Sequence, residues 1–207
     1  MVAPRSTGDI GVLDLQGDVR EHIGALIDIG ARPRSVKRPD DLGELAGLIL
    51  PGGESTTLSM LLTSTGLFAP LADMINQGFP IFGTCAGLVL VAKGVLGGRS
   101  DQRTFDVLDV VVRRNGFGRQ SQSFETTLEV GDSLGGGDHQ LAAVFIRAPK
   151  VVKAHPQVEV LAWVERPGEE EATPALVRQG PILASSFHPE LTPDRRVHRL
   201  FVQMCAA

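Results

Sequence analysis

Gly83-Thr84-Cys85-Ala86-Gly87 is the stretch of sequence that decides the fold of this chain. An apolar, strand-like run precedes it, and an apolar stretch of helical character, 88–92, begins directly after it. This order of strand, nucleophile and helix is typical of a nucleophile elbow, in which flanking glycines leave room for a strained turn. A helix N-terminus behind the sulfur favours the thiolate over the thiol. Taken alone, the pattern fits a catalytic thiol and a small apolar cysteine at the end of a core strand equally well.

A second stretch, Ser186-Phe187-His188-Pro189-Glu190, contains the groups that a thiol nucleophile needs. Such a nucleophile requires a base, and the base requires a carboxylate that orients its second ring nitrogen. His188 and Glu190 lie two residues apart, so both side chains point to the same side at the extended end of a strand. Pro189 keeps His188 out of helical geometry. The sequence therefore predicts a His–Glu pair that serves Cys85.

A third stretch, Gly52-Gly53-Glu54-Ser55, follows the apolar strand-like run 48–50. Backbone N–H groups in a glycine turn can stabilise an oxyanion, and the serine and the threonines after it can cap the next helix. Glu54 is placed to bind a positively charged group of a substrate. In an α/β fold this turn would lie beside the elbow, because both follow strands of one sheet.

Alternating strand-like and helical segments in the first half predict β–α units around a parallel sheet, and the second half is richer in strands. We expect a flavodoxin-like three-layer α/β sandwich with a mostly parallel central sheet and an added antiparallel portion, in a single domain, 1–207. The predicted strands are 10–15, 34–37, 48–50, 80–82, 107–113, 123–130, 143–146, 158–164, 175–177 and 182–185, and the predicted helices are 19–29, 56–63, 67–76, 88–92 and 194–204.

Composition limits the classes of function. The chain has 207 residues, of which 43% are hydrophobic, enough for one compact α/β core. No apolar run approaches the roughly 20 residues of a membrane span, and the start shows no apolar signal segment. A net charge of −4 without a basic block argues against a nucleic-acid partner. The two cysteines, Cys85 and Cys205, argue against a disulfide scaffold or a zinc site, and a thiol enzyme fits the reducing cytoplasm.

Together these motifs resemble the class I, or triad, glutamine amidotransferases, and they are most similar to the glutaminase subunits of pyridoxal 5′-phosphate synthase. The resemblance covers nearly the whole chain. The elbow and the His-x-Glu unit are shared by many triad amidotransferases, and other segments narrow the match. Asp14 departs from the family pattern, in which a smaller residue is usual between the two leucines of the segment 11–17. The matching segments are 11–17 with 20–22, 50–57, 83–87, 114–120 with 123–125, 145–149, and 186–192.

The resemblance implies a glutaminase that hydrolyses L-glutamine and passes the ammonia to a synthase subunit in a hetero-oligomer. It implies neither a cofactor nor a metal in this chain. Because glutamine carries an α-ammonium and an α-carboxylate, one acid and one guanidinium are suitable anchors. The implied catalytic residues are Cys85, His188 and Glu190; the implied glutamine-binding residues are Gly53, Glu54, Ser55, Arg114, Ile146 and Arg147; and the implied oxyanion donors are the backbone N–H groups of Gly53 and Ala86.

Several assignments rest on position alone. Arg114 is chosen over Arg113 because it directly precedes Asn115, although solvation at the surface is the usual fate of arginine. Gln16 is expected to hydrogen-bond near Gly53. The remaining expectations are His22 at a partner surface, His139 and His155 in loops, His198 in the last helix, and Cys205 at a frayed C-terminus.

Two other functions remain open at this point. A cysteine hydrolase or peptidase with a related elbow would share Cys85 and His188, but it has no reason to contain amino-acid anchors. A flavodoxin-like binding or regulatory module would contain a vestigial cysteine. Release of ammonia from glutamine without cleavage of peptides would distinguish a glutaminase from the cysteine hydrolase or peptidase. Labelling of Cys85 by a glutamine-mimicking electrophile would exclude the non-enzymatic module.

Overall fold

The structure is a computed structural model that describes residues 8–117, 123–131, 134, 139–166 and 171–206. The strands are β1 (Asp9–Leu13), β2 (Pro33–Val36), β3 (Leu45–Leu50), β4 (Ile81–Thr84), β5 (Ala92–Leu96), β6 (Leu108–Arg113), β7 (Phe124–Val130), β8 (Gln140–Phe145), β9 (Lys150–Ala154), β10 (Glu159–Val164), β11 (Thr173–Gln179) and β12 (Ile182–Ser185). The helices are α1 (Val19–Asp28), α2 (Ser55–Ser64), α3 (Phe68–Asn76), α4 (Ala86–Val91) and α5 (Arg196–Met204).

The central sheet has the strand order β2-β1-β3-β4-β12-β11-β10-β7-β8. From β2 to β12 the neighbouring strands are parallel, and from β12 to β8 they are antiparallel. The predicted parallel core and its antiparallel addition are both confirmed. The pairing of β4 with β12 places the ends of the strands before Cys85 and His188 side by side.

Alternation along the parallel strands produces the three layers. Neighbouring residues such as Val12 and Leu13, or Phe82 and Ile81, belong to cores on opposite faces of the sheet. Helices α1 and α5 cover one face, and α2, α3 and α4 cover the other. This arrangement follows from the period of two in a strand, which divides a continuous apolar run between two buried faces.

A second sheet, in the order β5-β6-β9, was not predicted as such. The apolar stretch after the elbow forms a helix only to Val91, and β5 begins at the next residue. A short apolar run does not distinguish helix from strand by periodicity, and a glycine such as Gly94 is depleted in strands. The structure gives Gly94 a role, because a Cβ there would lie 3.0 Å from a side-chain methyl of Val111 on β6.

Parts of the sequence-based interpretation lie outside the described residues. These are 118–120 of the 114–120 motif and parts of two segments, 131–137 and 166–171, that the sequence predicts to be exposed loops. Asp14, the departure from the family pattern, follows β1, accepts a hydrogen bond from Ser35 Oγ at 2.6 Å and lies 3.2 Å from Lys37 Nζ.

In the described part of the chain no single helix is long and apolar enough to cross a bilayer. Helices α2 and α3 meet the length and composition criteria only as a pair, and that pair is bent by 100°.

Candidate active site

Cys85 lies in the predicted strand–turn–helix elbow, between β4 and α4. Its φ of 49° is in the left-handed region, its side chain is buried, and its N–H donates to Ser185 O at 2.8 Å. A Cβ at Gly83 would lie 2.5 Å from the carbonyl carbon of Gly87, and a Cβ at Gly87 would lie 2.2 Å from Leu50 O. Both glycines are therefore required because backbone packs where a side chain would stand.

His188 and Glu190 follow β12 and point toward each other, as their spacing predicts. His188 Nδ1 is 2.7 Å from Glu190 Oε1, and both side chains are buried. The imidazole Nε2 has no nitrogen or oxygen partner among the described residues, which leaves it available on the side of the cavity that contains Cys85. The structure thus brings the three predicted catalytic residues together, while their roles remain predictions.

The protonation of His188 follows from its neighbours. Burial by itself lowers the pKa of His188, but hydrogen bonds with Asp18, Cys85 and Glu190 and the charge of Cys85 outweigh burial and raise the pKa to about 12. Burial also raises the pKa of the Glu190 carboxyl, against the hydrogen bond and the charge of His188. The site therefore favours an imidazolium next to the sulfur, which is the state that stabilises a thiolate.

Asp18 is a site residue that the sequence analysis missed. Its Oδ2 is 3.1 Å from His188 Nδ1, so two carboxylates contact the same ring nitrogen. The hydrogen bond from His188 is the main cause of the lowered pKa of Asp18, against a smaller opposing effect of burial. An acid directly before a helix is usually a cap, but the Asp18 side chain makes no capping hydrogen bond to α1.

Asp18, His188 and Glu190 also form the one group of potential metal ligands found among the described residues. Their ligand atoms lie within 4.8 Å of one another. The same separations are accounted for by the two carboxylate contacts at His188 Nδ1. The prediction that the chain contains no metal remains a prediction.

A cavity of about 260 Å³ opens in front of the thiol. Glu190 lies behind His188 and does not line the cavity. The predicted residues that line it are Gly53, Glu54, Ser55, Cys85, Ala86, Arg114, Ile146, Arg147 and His188, and the lining residues that were not predicted are Gly17, Asp18, Val89, Asn115 and Pro149.

Glu54 and Arg114 form an ion pair at the rim, a contact that the sequence did not reveal. Glu54 is the N-cap of α2, where its Oε2 accepts from Thr57 N–H at 2.8 Å, and Arg114 Nη1 donates to Thr56 Oγ1 at 3.0 Å. Burial raises the pKa of Glu54, but the N–H groups of Thr57 and Thr56 and the Arg114 charge outweigh it, so the pKa is lowered. Arg113 is exposed and does not line the cavity, in agreement with the choice of Arg114.

Ile146 and Arg147 approach the thiol from the loop after β8. The Ile146 carbonyl oxygen is 3.9 Å from Cys85 Sγ. Arg147 has a φ of 46°, is exposed at the cavity, and has no hydrogen-bond or ion-pair partner among the described residues. Its guanidinium is therefore free to bind an anion that enters the cavity.

The glycine turn lies against the first strand–helix connection. Gln16 Nε2 donates to Glu54 O at 3.3 Å, and a Cβ at Gly53 would lie 2.3 Å from the same nitrogen. The expected hydrogen bond of Gln16 near Gly53 is confirmed. Gly53 has a φ of 144°, and a Cβ at Gly17 would lie 1.7 Å from Gly52 O. Ala86 is the first residue of α4, where helix N–H groups have no intrahelical partner.

Two expectations are corrected or refined by burial. His22 was expected at a partner surface, which is wrong: its side chain is fully buried, and its Nδ1 is 3.0 Å from Nε2 of His198, also buried on α5. Cys205 was expected at a frayed terminus, but its sulfur lies 2.4 Å from the position that a Cβ of Gly47 would take, and burial raises its pKa to about 12. Periodicity does not reveal such contacts, because it records no distances between elements.

Comparisons with known sequences identify the family of this chain. The model of the SNO glutamine amidotransferase family matches residues 12–207. The pyridoxal 5′-phosphate synthase subunit PdxT of Frankia casuarinae is 55% identical over 193 residues, which are 93% of this chain and 92% of that protein. The subunit of the same name from Mycobacteroides abscessus is 49% identical over 198 residues, 96% of this chain and 97% of that protein.

Solved structures give the same result for the fold. A crystal structure described as a glutamine amidotransferase is 44% identical, covers 96% of this chain and 99% of its own, and superposes with a TM-score of 0.83. A glutamine amidotransferase from Thermotoga maritima is 14% identical, covers 94% of this chain and 81% of its own, and has a TM-score of 0.62, which shows the fold alone.

Replacing the unexpected carboxylate changes the protonation of the imidazole. In Asp18→Asn we expect a lower pKa for His188, because one anionic hydrogen-bond partner is lost. The folded-state pKa lies above the ordinary 6.5, so this charge stabilises the fold below pH 6.5, and the stabilisation is lost as pH rises toward the raised pKa. In the variant the loss still begins near the ordinary pKa of 6.5, but it is complete at a lower pH because the folded-state pKa is lower, so the total stabilisation is smaller.

The measurement is an NMR titration of the His188 ring together with urea unfolding across the alkaline range. Asp73→Asn, an exposed change on α3, is the matched control and leaves both unchanged. An unaltered His188 titration in Asp18→Asn contradicts the assignment of Asp18 to this site.

Proposed function

The chain belongs to the SNO glutamine amidotransferase family, and we propose that it hydrolyses L-glutamine to glutamate and ammonia as the glutaminase subunit of a pyridoxal 5′-phosphate synthase. The observation that supports this most directly is the cavity, which is lined by Cys85 and His188 together with the charged residues Glu54, Arg114 and Arg147. A peptidase would need an open cleft for a chain on both sides of the thiol, whereas this cavity has the size and the charges for one amino acid.

The first half of the reaction forms a thioester. The Cys85 thiolate attacks the side-chain carbonyl carbon of glutamine, a C–S bond forms, and the carbonyl electron pair moves to oxygen. The backbone N–H groups of Ala86 and Gly53 stabilise this oxyanion. The electron pair then returns, the C–N bond breaks, and His188 gives its proton to the departing nitrogen, so that ammonia leaves and a glutamyl thioester remains.

The second half uses the same groups in reverse. Water attacks the thioester, neutral His188 takes its proton, and the C–S bond breaks to release glutamate and restore the thiolate–imidazolium pair. Glu190 holds the Nδ1 side of the ring throughout, at 2.7 Å. The sum is glutamine plus water to glutamate plus ammonia, with no cofactor and no metal in any step.

The charged rim matches the two ends of glutamine. A carboxylate has about four lone-pair sites, so Glu54 can accept from an α-ammonium group while it remains bound to Arg114 and Thr57. Arg147, which has no partner among the described residues, provides the guanidinium for the α-carboxylate, with Arg114 beside it. The remaining predicted residues, Gly53, Ser55 and Ile146, line the cavity and would contact glutamine through their backbone atoms and short side chains.

The released ammonia can be used in a synthesis only if a second active site receives it. We therefore propose that the chain acts as a single domain in a hetero-oligomer with the synthase subunit, in the cytoplasm, without a nucleic-acid or membrane partner. The Gly52-Gly53 turn is the element that docking could adjust, because glycine moves between backbone conformations at low cost and Gly53 must aim its N–H at the oxyanion. Gln16, which contacts this turn, connects it to the β1–α1 connection.

Removal of the nucleophile is the first test. Cys85→Ala should abolish release of ammonia from glutamine in the assembled complex, because no thioester can form. Cys205→Ala is the matched control and should retain wild-type turnover, since Cys205 lies against β3 and does not line the cavity. More than trace ammonia from purified Cys85→Ala would refute the assignment of Cys85, and cleavage of peptides by the wild type would favour the cysteine peptidase.

A second test uses neighbouring arginines. Arg114→Ala and Arg147→Ala should each lower kcat/KM for glutamine by about ten- to a hundredfold, since a hydrogen bond to a charged group contributes about 1.5–3 kcal/mol. Arg113→Ala should leave kcat/KM unchanged, because Arg113 is exposed and does not line the cavity. If Arg114→Ala and Arg147→Ala keep the wild-type kcat/KM, as the control Arg113→Ala should, a charged glutamine pocket at this rim is excluded.

The third test concerns the partner. Titration of the synthase subunit should raise glutamine hydrolysis at least severalfold and saturate at a fixed stoichiometry, because docking orders the Gly52-Gly53 turn. A synthase that cannot form the complex, added at the same concentration, is the control. If kcat/KM stays the same while gel filtration shows that a complex has formed, the coupling is disproved.

A further inference from the structure

His22 is a buried polar side chain that the proposed reaction does not use. It lies on α1 with none of its side chain exposed, and its ring meets that of Phe82 on β4. Its Nε2 is 3.1 Å from Thr84 Oγ1 and 3.5 Å from Glu190 Oε2, and its Nδ1 is 3.0 Å from His198 Nε2. His22 therefore contacts the residue before the nucleophile and the carboxylate of the triad at once.

The charge state of His22 is set by its surroundings. Burial is the main cause that lowers its pKa well below 6.5, and the neighbouring charges of His198, His188 and Arg195 add to it. Burial likewise lowers the pKa of His198 to about 3, with a smaller effect of Arg195. Both rings are therefore neutral at physiological pH, so each has one N–H donor and one acceptor nitrogen.

The contacts select one tautomer of His22. With the proton on Nε2, the ring donates toward Glu190 Oε2 and Thr84 Oγ1, and its Nδ1 accepts from His198 Nε2–H. With the proton on Nδ1, a lone pair would face the carboxylate, and the buried His198 Nδ1–H would have no described acceptor. An unpaired buried donor and a lone pair against a carboxylate are both unfavourable, so the structure favours the Nε2–H form.

Glu190 needs this contact because its second oxygen has no other donor. Oε1 is bound to His188, while Oε2 makes no hydrogen bond to any described residue, and His22 Nε2 approaches it to 3.5 Å. A buried carboxylate with one unsatisfied oxygen is costly and can rotate about its terminal torsion. Phe82 packs against the two imidazoles, since its ring meets those of His22 and His198 edge-on with centroid distances of 6.2 and 5.8 Å.

We propose that His22 is a positioning residue of the glutaminase reaction: supported from behind by His198, it donates from Nε2 to Glu190 Oε2 and so fixes the carboxylate that orients His188. The expected effect on kcat rests on the proposed function, whereas the contact between His22 and Glu190 does not depend on it. The charged and titratable groups that face His22 are Glu190 and His188 after β12, and His198 and Arg195 at α5. Asp18, one turn before His22 on α1, contacts His188 directly, so the first turn of α1 touches both members of the His–Glu pair.

The kinetic test compares two side chains of similar size at position 22. His22→Gln keeps an N–H donor at a reach like that of Nε2, and His22→Met keeps the volume without a donor. In the assembled complex we expect His22→Met to lower kcat by about ten- to a hundredfold, with KM for glutamine unchanged, as when a group that orients a functional side chain is removed. His22→Gln should keep kcat near wild type. His155→Gln, in an exposed loop, is the control.

The number of intact active sites is counted by labelling with a diazoketone analogue of glutamine, and kcat is calculated per labelled site. A variant that is partly unfolded then does not show a falsely low kcat. A lower labelled fraction with normal kcat per site in both variants shows a purely structural role and overturns the proposal. Equal loss of kcat in the Gln and Met variants overturns it as well, because the donor would then be irrelevant.

A second measurement needs neither a variant nor glutamine. In ¹⁵N-labelled wild-type protein, the ring nitrogens of His22 should show protonated Nε2 and unprotonated Nδ1 at neutral pH. The Nδ1–H tautomer, or a doubly protonated ring, contradicts the proposal whatever the variants do. If the tautomer is as expected but the wild type releases no ammonia from glutamine, the proposed function fails while the buried contact stands.

Discussion

The parallel pairing of β4 with β12 is the constraint on which the site depends. It places Ser185 beside Thr84, and the next N–H, that of Cys85, donates to Ser185 O at 2.8 Å. Two chain segments about a hundred residues apart in sequence thus end at one edge of the sheet, in agreement with the rule that parallel strands gather functional loops at their carboxyl ends. The strands β3, β4 and β12 are parallel neighbours, so their carboxyl ends lie at one edge of the sheet. The glycine turn, the sulfur and the imidazole, which follow these strands, therefore lie close together.

Strain is concentrated at the same edge. Of the five non-glycine residues with positive φ among those described, Cys85, Asn115 and Arg147 line the cavity. Such conformations each cost of order 1–3 kcal/mol and persist where the surroundings determine them. Around Cys85 the determining contacts are backbone atoms that fill the space of a Cβ at Gly83 and Gly87. The surrounding packing thus holds the thiol in place before any substrate arrives.

The sequence predicted the parts of this site that are local. The elbow, the His188–Glu190 spacing and the choice of Arg114 each depend on residues close together in the chain, and the strand–helix alternation fixed the three layers. What could not be predicted depends on contacts between distant elements. Asp18 was not identified from the sequence, His22 was expected at a partner surface, and the Glu54–Arg114 pair joins loops sixty residues apart. The small β5-β6-β9 sheet was missed because short, mixed strands have no distinctive period.

The central claim, that Cys85 is the nucleophile of a glutamine-specific pocket, is tested most directly by covalent trapping. A diazoketone analogue of glutamine, incubated with the complex and followed by peptide mass spectrometry, should place one label per chain on Cys85, with loss of glutaminase activity in proportion to labelling and protection by L-glutamine. Inactivation with Cys85 unmodified, or labelling of Cys205 at an equal rate that glutamine does not slow, would contradict the account.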